Sequence, residues 1–134
     1  MKKSVGVLLA VVMLLASTLA YGKPKAVERL GIDPVLHGIW YAHMTSQNGG
    51  KAKAINPPEA ICKVGASKVT MAGGDTYKVV KVMITTGKKG ETANVILFDN
   101  SAMWAVTKIP KQPYYLVQVF GNDKEIARFM VSVR

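Results

Sequence analysis

The chain has 134 residues, room for one domain and little for two. Lysine and arginine (18) outnumber aspartate and glutamate (8), giving a formal net charge of +10, which favours anionic surfaces without choosing among lipid headgroups, envelope polymers, nucleic acid and acidic proteins. The one cysteine, Cys62, excludes an internal disulfide, so the core must be held by packing alone.

Residues 1–20 read as an export signal. Lys2 and Lys3 supply the positive start, Val5 to Ala16 the apolar centre, and Ala16, Ser17, Thr18 and Ala20 the small residues of a cleavage site. Cleavage falls after Ala20, with Thr18 at the −3 position, or after Gly22, with Ala20 there. The uncharged stretch from Val5 to Ala20 is 16 residues, short of the roughly 20 that a spanning helix needs. No cysteine follows it to be acylated. The expected product is soluble and exported, periplasmic or secreted, and not a lipoprotein. Loss of Lys2 and Lys3 takes the net charge from +10 to +8.

Residues 21–35 read as a linker and short turn. Ala26 to Leu30 suggests one helical turn ending at Gly31, and Asp33-Pro34 a cap followed by a first-turn proline. From residue 36 to 134 the pattern is that of a single β domain. Gly38 to Met44 is the first predicted strand, with Trp40, Ala42 and Met44 on one face and His37, Ile39, Tyr41 and His43 on the other. Thr45 to Pro58 reads as a long irregular loop, and Glu59 to Val64 fits a helical turn or a strand. Six further strands follow: Ser67–Ala72, Tyr77–Thr86, Thr92–Phe98, Ala102–Ile109, Tyr114–Phe120 and Glu125–Val133, with compact turns between them. Such spacing indicates an all-β fold, an antiparallel up-and-down meander of about seven to eight strands forming a small barrel or a sandwich.

The strands differ in their two faces. In the last one Ala127, Phe129, Val131 and Val133 oppose Arg128, Ser132 and Arg134, a plain inside/outside alternation. Between Tyr77 and Phe120 both faces are apolar. Val80, Val82 and Ile84 oppose Val79 and Met83; Trp104 and Val106 oppose Met103 and Ala105; Leu116 and Phe120 oppose Val117 and Val119. A small sheet needs only one apolar face, so a ligand, a protein partner or a second copy (a homodimer) is expected against the other.

Gly38-Ile39-Trp40, just after the turn Asp33-Pro34-Val35-Leu36, resembles the opening of lipocalin-like (calycin) barrels. The resemblance runs from Leu36 to the C-terminus. It implies a tryptophan, Trp40, closing one end of an up-and-down barrel, with Arg128 or Arg134 packed across it. The chain departs from that family in being shorter and in lacking its paired cysteines, which bears on the depth of any ligand pocket. Gly38, Trp40 and Arg128 are the structural residues this implies, and Trp40, Tyr77, Met83, Trp104 and Tyr115 the candidate ligand contacts.

Chemistry-bearing residues are sparse. His37 and His43 share strand parity but stand roughly 20 Å apart along an extended strand, and no histidine lies near Cys62 in the sequence. Acidic residues are scattered without a pairing that reads as general acid and base. Neither a metal site, a cofactor nor an enzyme is expected; the remaining catalytic option would centre on Cys62 and His43. Lys51, Lys53, Lys88 and Lys89 form a candidate anion-binding rim if their loops share one end. Aromatics at Tyr77, Trp104, Tyr114, Tyr115 and Phe120 fit a polymer-binding face. The glycine-containing turns join strand to strand, unlike phosphate loops, and no specific nucleic-acid motif is present. The leading expectation is a non-enzymatic barrel binding a small apolar or amphipathic ligand or a protein partner; the alternative is a basic module docking on an anionic envelope polymer, nucleic acid or an acidic protein.

Overall fold

The computed structural model describes residues 25–87, 90–122 and 124–134. The export signal of residues 1–20, its cleavage site, and Lys88 and Lys89 lie outside the described residues. Among the described residues nine strands are present: β1 (Lys25–Arg29), β2 (Gly38–Gln47), β3 (Lys53–Val64), β4 (Lys68–Met71), β5 (Thr76–Thr86), β6 (Thr92–Phe98), β7 (Met103–Lys108), β8 (Tyr115–Gly121) and β9 (Lys124–Val133). A 3-10 turn, Pro34–Leu36, precedes β2, with the Asp33 carboxylate accepting from the Val35 N–H.

Each strand from β2 to β9 pairs antiparallel with the next, and β9 returns to β2, from Trp40↔Val133 to Gln47↔Ala127. The fold is the expected all-β up-and-down meander, with eight strands closed into a ring. Closure removes the free edges that an open sheet would present.

Two local expectations are corrected. Ala26 to Leu30 does not form a helical turn: Lys25–Arg29 is a strand paired with Thr86–Val82 of β5. The reason lies in β4, which is four residues long and covers β5 only along Thr76–Lys78. The second half of β5 is left with an open edge, and β1 fills it. Nor is Thr45–Pro58 a loop throughout. β2 runs on to Gln47 and β3 begins at Lys53, even though β3 contains Pro57-Pro58. The prolines fit because β4 pairs only with Cys62–Val64, so earlier β3 residues face no ladder on that side. The β2–β3 register also jumps from Ala42↔Glu59 to Met44↔Ala54 around them. Missing N–H groups are tolerated at such irregular, edge-like positions.

The ring is filled. Trp40, Ala42, Cys62, Val64, Val69, Val82, Ile96, Phe98, Trp104, Val106, Val117 and Val131 form one inner cluster. A bulge between Val79 and Lys81 decides which side chains of β5 join it. Tyr77 and Val79 point inward before the bulge and Val82 and Ile84 after it, while Val80 turns out to solvent. Strict period-2 parity placed Val80 with Val82; an extra residue breaks that count.

One end is plugged by the segment leading into β2. Ile32 and Leu36 are buried, the Ile32 N–H donates to the Ala66 carbonyl at 2.8 Å, and His37 Nε2 donates to the Ile32 carbonyl at 2.7 Å. The Trp40 indole N–H donates to the Leu36 carbonyl at 2.8 Å in a fully buried bond. Arg128 does not pack over Trp40 as expected; it lies outside, paired with Glu125. Arg134 instead sits 4.8 Å over the Tyr41 ring. Parity explains both, since Arg128 and Arg134 alternate with the inward residues of β9 and so face away from an inward Trp40.

Gly38 stands where the ring closes. Its φ is +135°, and a Cβ there would clash with the Arg134 carbonyl oxygen. That carbonyl accepts the Ile39 N–H at 2.8 Å, and the Arg134 N–H returns to the Ile39 carbonyl at 2.9 Å. Gly38→Ala is expected to cost about 2 kcal/mol or more, from backbone strain plus the lost closing pair. Urea unfolding with an unchanged midpoint would show that closure does not depend on this glycine.

Candidate functional site

Four aromatic rings occupy the middle of the barrel. Trp40 and Trp104 have centroids 5.8 Å apart, Phe98 and Trp104 4.8 Å, Tyr77 and Phe98 5.7 Å, and Tyr77 and Trp104 6.5 Å. Tilted and edge-on geometries of this kind add to the burial energy of the rings. Three of the five candidate ligand contacts, Trp40, Tyr77 and Trp104, are thus brought together, with Phe98 as a fourth member. Phe98 carried a signal in the sequence, since it shares strand parity with the inward Ile96 in β6. The other two are elsewhere. Tyr115 faces inward on β8 and carries the Lys108 ammonium 5.6 Å over its ring. Met83 lies on the outer wall, opposite Val95. The five do not form one site, because Met83 has the opposite parity to Val82 and Ile84.

The end opposite the plug is a mouth. Ile55, Met71, Tyr77, Val119 and Phe129 are half-buried there and pack against the inner cluster. The mouth is incomplete on one side, because β4 spans so little of β3. Lys53 pairs with Thr45, and Thr45 with Phe129, so the register puts Lys53 on the inner face, where it is exposed. Lys51 is exposed in the adjacent connection. Of the rim expected from Lys51, Lys53, Lys88 and Lys89, the first two are found at this end and the other two lie outside the described residues. Successive hairpins of a meander alternate ends, so the Thr86 and Thr92 strand ends lie at the end opposite Lys53.

A second apolar cluster lies on the outside of the barrel. Ala93 and Val95 of β6 and Met103 and Ala105 of β7 form it, with Met83, Leu97 and Phe120 packed against them. This is the far face of the strands whose two sides both read as apolar.

The groups with reactive potential are apart. Cys62 faces inward opposite Trp40, and burial pushes its thiol up to about 12 from 9.0. At neutral pH it stays protonated, and a thiol is a poor nucleophile compared with a thiolate. His43 sits at the irregularity in β2, its Nε2 hydrogen-bonded to Ser132 Oγ at 2.8 Å and its ring 4.8 Å from that of Tyr114. It does not meet Cys62. Among the described residues, no three His, Cys, Asp or Glu side chains gather as metal ligands, and no helix is long and apolar enough to cross a membrane.

Comparison with protein-family models, with curated proteins and with solved structures finds no match.

The thiol makes stability depend on pH. The unfolded chain releases the Cys62 proton near 9.0 whereas the native barrel holds it to about 12. The thiol's contribution is therefore fully present below pH 9 and is lost as pH rises from 9 toward 12. Cys62→Val should flatten the fall in urea midpoint between pH 8.5 and 10.5 relative to the parent chain; parallel falls would show that the thiol is not desolvated.

Proposed function

We propose that the protein is a small, exported, non-enzymatic barrel of lipocalin-like build that takes an amphipathic anion at its mouth. The observation that carries this reading is the placement of Lys53 on the inner face beside a half-buried apolar ring of Ile55, Met71, Tyr77, Val119 and Phe129. The apolar part of the ligand enters that ring and rests on the aromatic floor of Trp40, Phe98 and Trp104. Its anionic head meets Lys53 and Lys51. The filled centre limits how deep the ligand goes, so the tail is partly held at the mouth. Gly38-Ile39-Trp40 at the start of β2, the 3-10 turn before it, and the eight-stranded ring support the lipocalin-like assignment.

Docking on an anionic polymer is the weaker reading, because the exposed Lys53 stands beside a half-buried apolar ring that a polyanion would leave uncovered. Indole emission from Trp40 and Trp104 gives a direct readout. Laurate is expected to quench or shift it saturably, and dodecanol to bind with lower affinity. Lys53→Glu should weaken laurate by about tenfold, the effect of replacing an attractive partner with a repulsive one, while leaving dodecanol unchanged. Ile55→Glu should weaken both. Laurate binding that survives both substitutions, or no response to laurate together with steeply salt-dependent retention on an anionic polymer, would overturn the reading.

A further inference from the structure

Two large apolar side chains, Leu30 at 100% and Val80 at 61% exposure, stand in water at one corner of the barrel. Register and hydrogen bonds bring them there. Arg29 pairs with Val82, so Leu30 follows beside Lys81, one residue from Val80. The chain then turns onto the β3–β4 hairpin, where the Ile32 N–H donates to the Ala66 carbonyl at 2.8 Å. The Val79 N–H donates to the Ser67 carbonyl of the same hairpin, also at 2.8 Å. Val80 faces out because of the bulge between Val79 and Lys81, a feature that re-aims a side chain.

Three lysines surround this pair. Lys63, Lys68 and Lys78 alternate with the inward Cys62, Val64, Val69, Tyr77 and Val79, so all three point outward, and all three are exposed. Lys68 and Lys78 are direct cross-strand partners. The bond from Val79 to Ser67 makes the adjoining Lys68–Lys78 pair one of the non-hydrogen-bonded kind, in which side chains come closest. Like charges so placed repel and oppose folding. Lys63 lies diagonally across, since its own partner, Thr70, is two residues from Lys68. The neighbouring acids are engaged elsewhere: Glu28 faces Lys81 at 3.8 Å, and Asp99 Oδ1 accepts the Lys78 backbone N–H at 3.2 Å. Among the described residues no ion pair joins Lys63, Lys68 or Lys78 to an acid.

We propose that this corner docks the protein on an anionic lipid bilayer. Leu30 and Val80 enter the boundary beneath the headgroups, and Lys63, Lys68 and Lys78 meet the lipid phosphates. The two parts of the patch together select that partner. A soluble polyanion would match the lysines and leave Leu30 and Val80 in water, where apolar surface is unfavourable. An uncharged apolar surface would cover the pair and leave the lysine repulsion unrelieved. The interface of an anionic bilayer supplies an apolar boundary under a layer of negative charge. Lysine stems lie along such a boundary while their ammonium groups stay among the headgroups. The patch is on the outer wall and shares no residue with the mouth, so it is independent of ligand binding there.

The test uses the full chain in a Cys62→Ala background, with an environment-sensitive dye on Val80→Cys. The same dye on Leu30→Cys gives a second report, and on Arg128→Cys, exposed on β9, a reference. Vesicles of equimolar phosphatidylcholine and phosphatidylglycerol should shift the emission to the blue at 80 and 30 and leave it unchanged at 128. Pure phosphatidylcholine should give the same shift only at about a hundredfold more lipid, the attraction of three lysines to an anionic surface. Lys68→Gln with Lys78→Gln should weaken the response at 80 by about twentyfold at low salt, while the indole emission of the unlabelled variant matches the parent. Equal shifts at 80 and 128, an equal response to both lipids, or a lysine variant as tight as the parent would each overturn the proposal. So would dextran sulfate binding that depends on Lys68 and Lys78 while the dyes at 80 and 30 stay in water on vesicles, the mark of a polymer site.

Discussion

Gly38 and Arg134 meet where the first and last strands of the ring touch, and the arrangement of every other strand depends on that seam. An eight-stranded meander has two edges until β9 finds β2. The seam needs the two backbones to approach more closely than a side chain at residue 38 permits, with a φ that glycine alone adopts readily. Two residues on, Trp40 anchors the same strand from inside through its bond to the Leu36 carbonyl. The closing strand and the plug are therefore fixed together: the chain that seals the end of the barrel is the chain that starts the seam. Loss of either would leave the aromatic cluster without one of its walls.

The filling of the barrel has a functional consequence. With Trp40, Tyr77, Phe98 and Trp104 in mutual contact at its centre, the interior holds itself together without a ligand, as a chain lacking disulfides requires. In the proposed reading ligand contact is then left to the mouth, where β4 is too short to cover the start of β3 and the apolar residues are only half-buried. The same shortness of β4 gives β1 its place on β5. One four-residue strand thus determines the open side of the mouth, the tolerance of Pro57-Pro58 and the seat of β1.

How far the fold was legible follows from what each signal depends on. Strands β4 to β9 were readable to within a residue or two, because turn residues separate runs of β-branched and aromatic residues. β1 was not, since a pattern such as Ala26, Val27 and Leu30 looks like a helical turn until an open strand edge is beside it. The extension of β3 through two prolines was hidden for a similar reason: a proline argues against a strand except where the ladder is absent, and a sequence does not show where ladders are absent. Arg128 was matched to Trp40 by family resemblance, while its alternation with Ala127 and Phe129 already turned it outward.

The sequence by itself determined the all-β class, the order of the meander, the tryptophan and glycine at its opening, and the excess of apolar surface between Tyr77 and Phe120. Those properties are carried by local propensity and by period-2 patterning, which need no knowledge of neighbours. Only the tertiary structure decided which apolar residues share a face. A single bulge at Val80 reversed the count along β5, and cross-strand register alone put Met83 on the outer wall and Lys53 at the mouth. Side-chain direction is a sum over every residue since the last irregularity, and irregularities are set by the partners a strand meets.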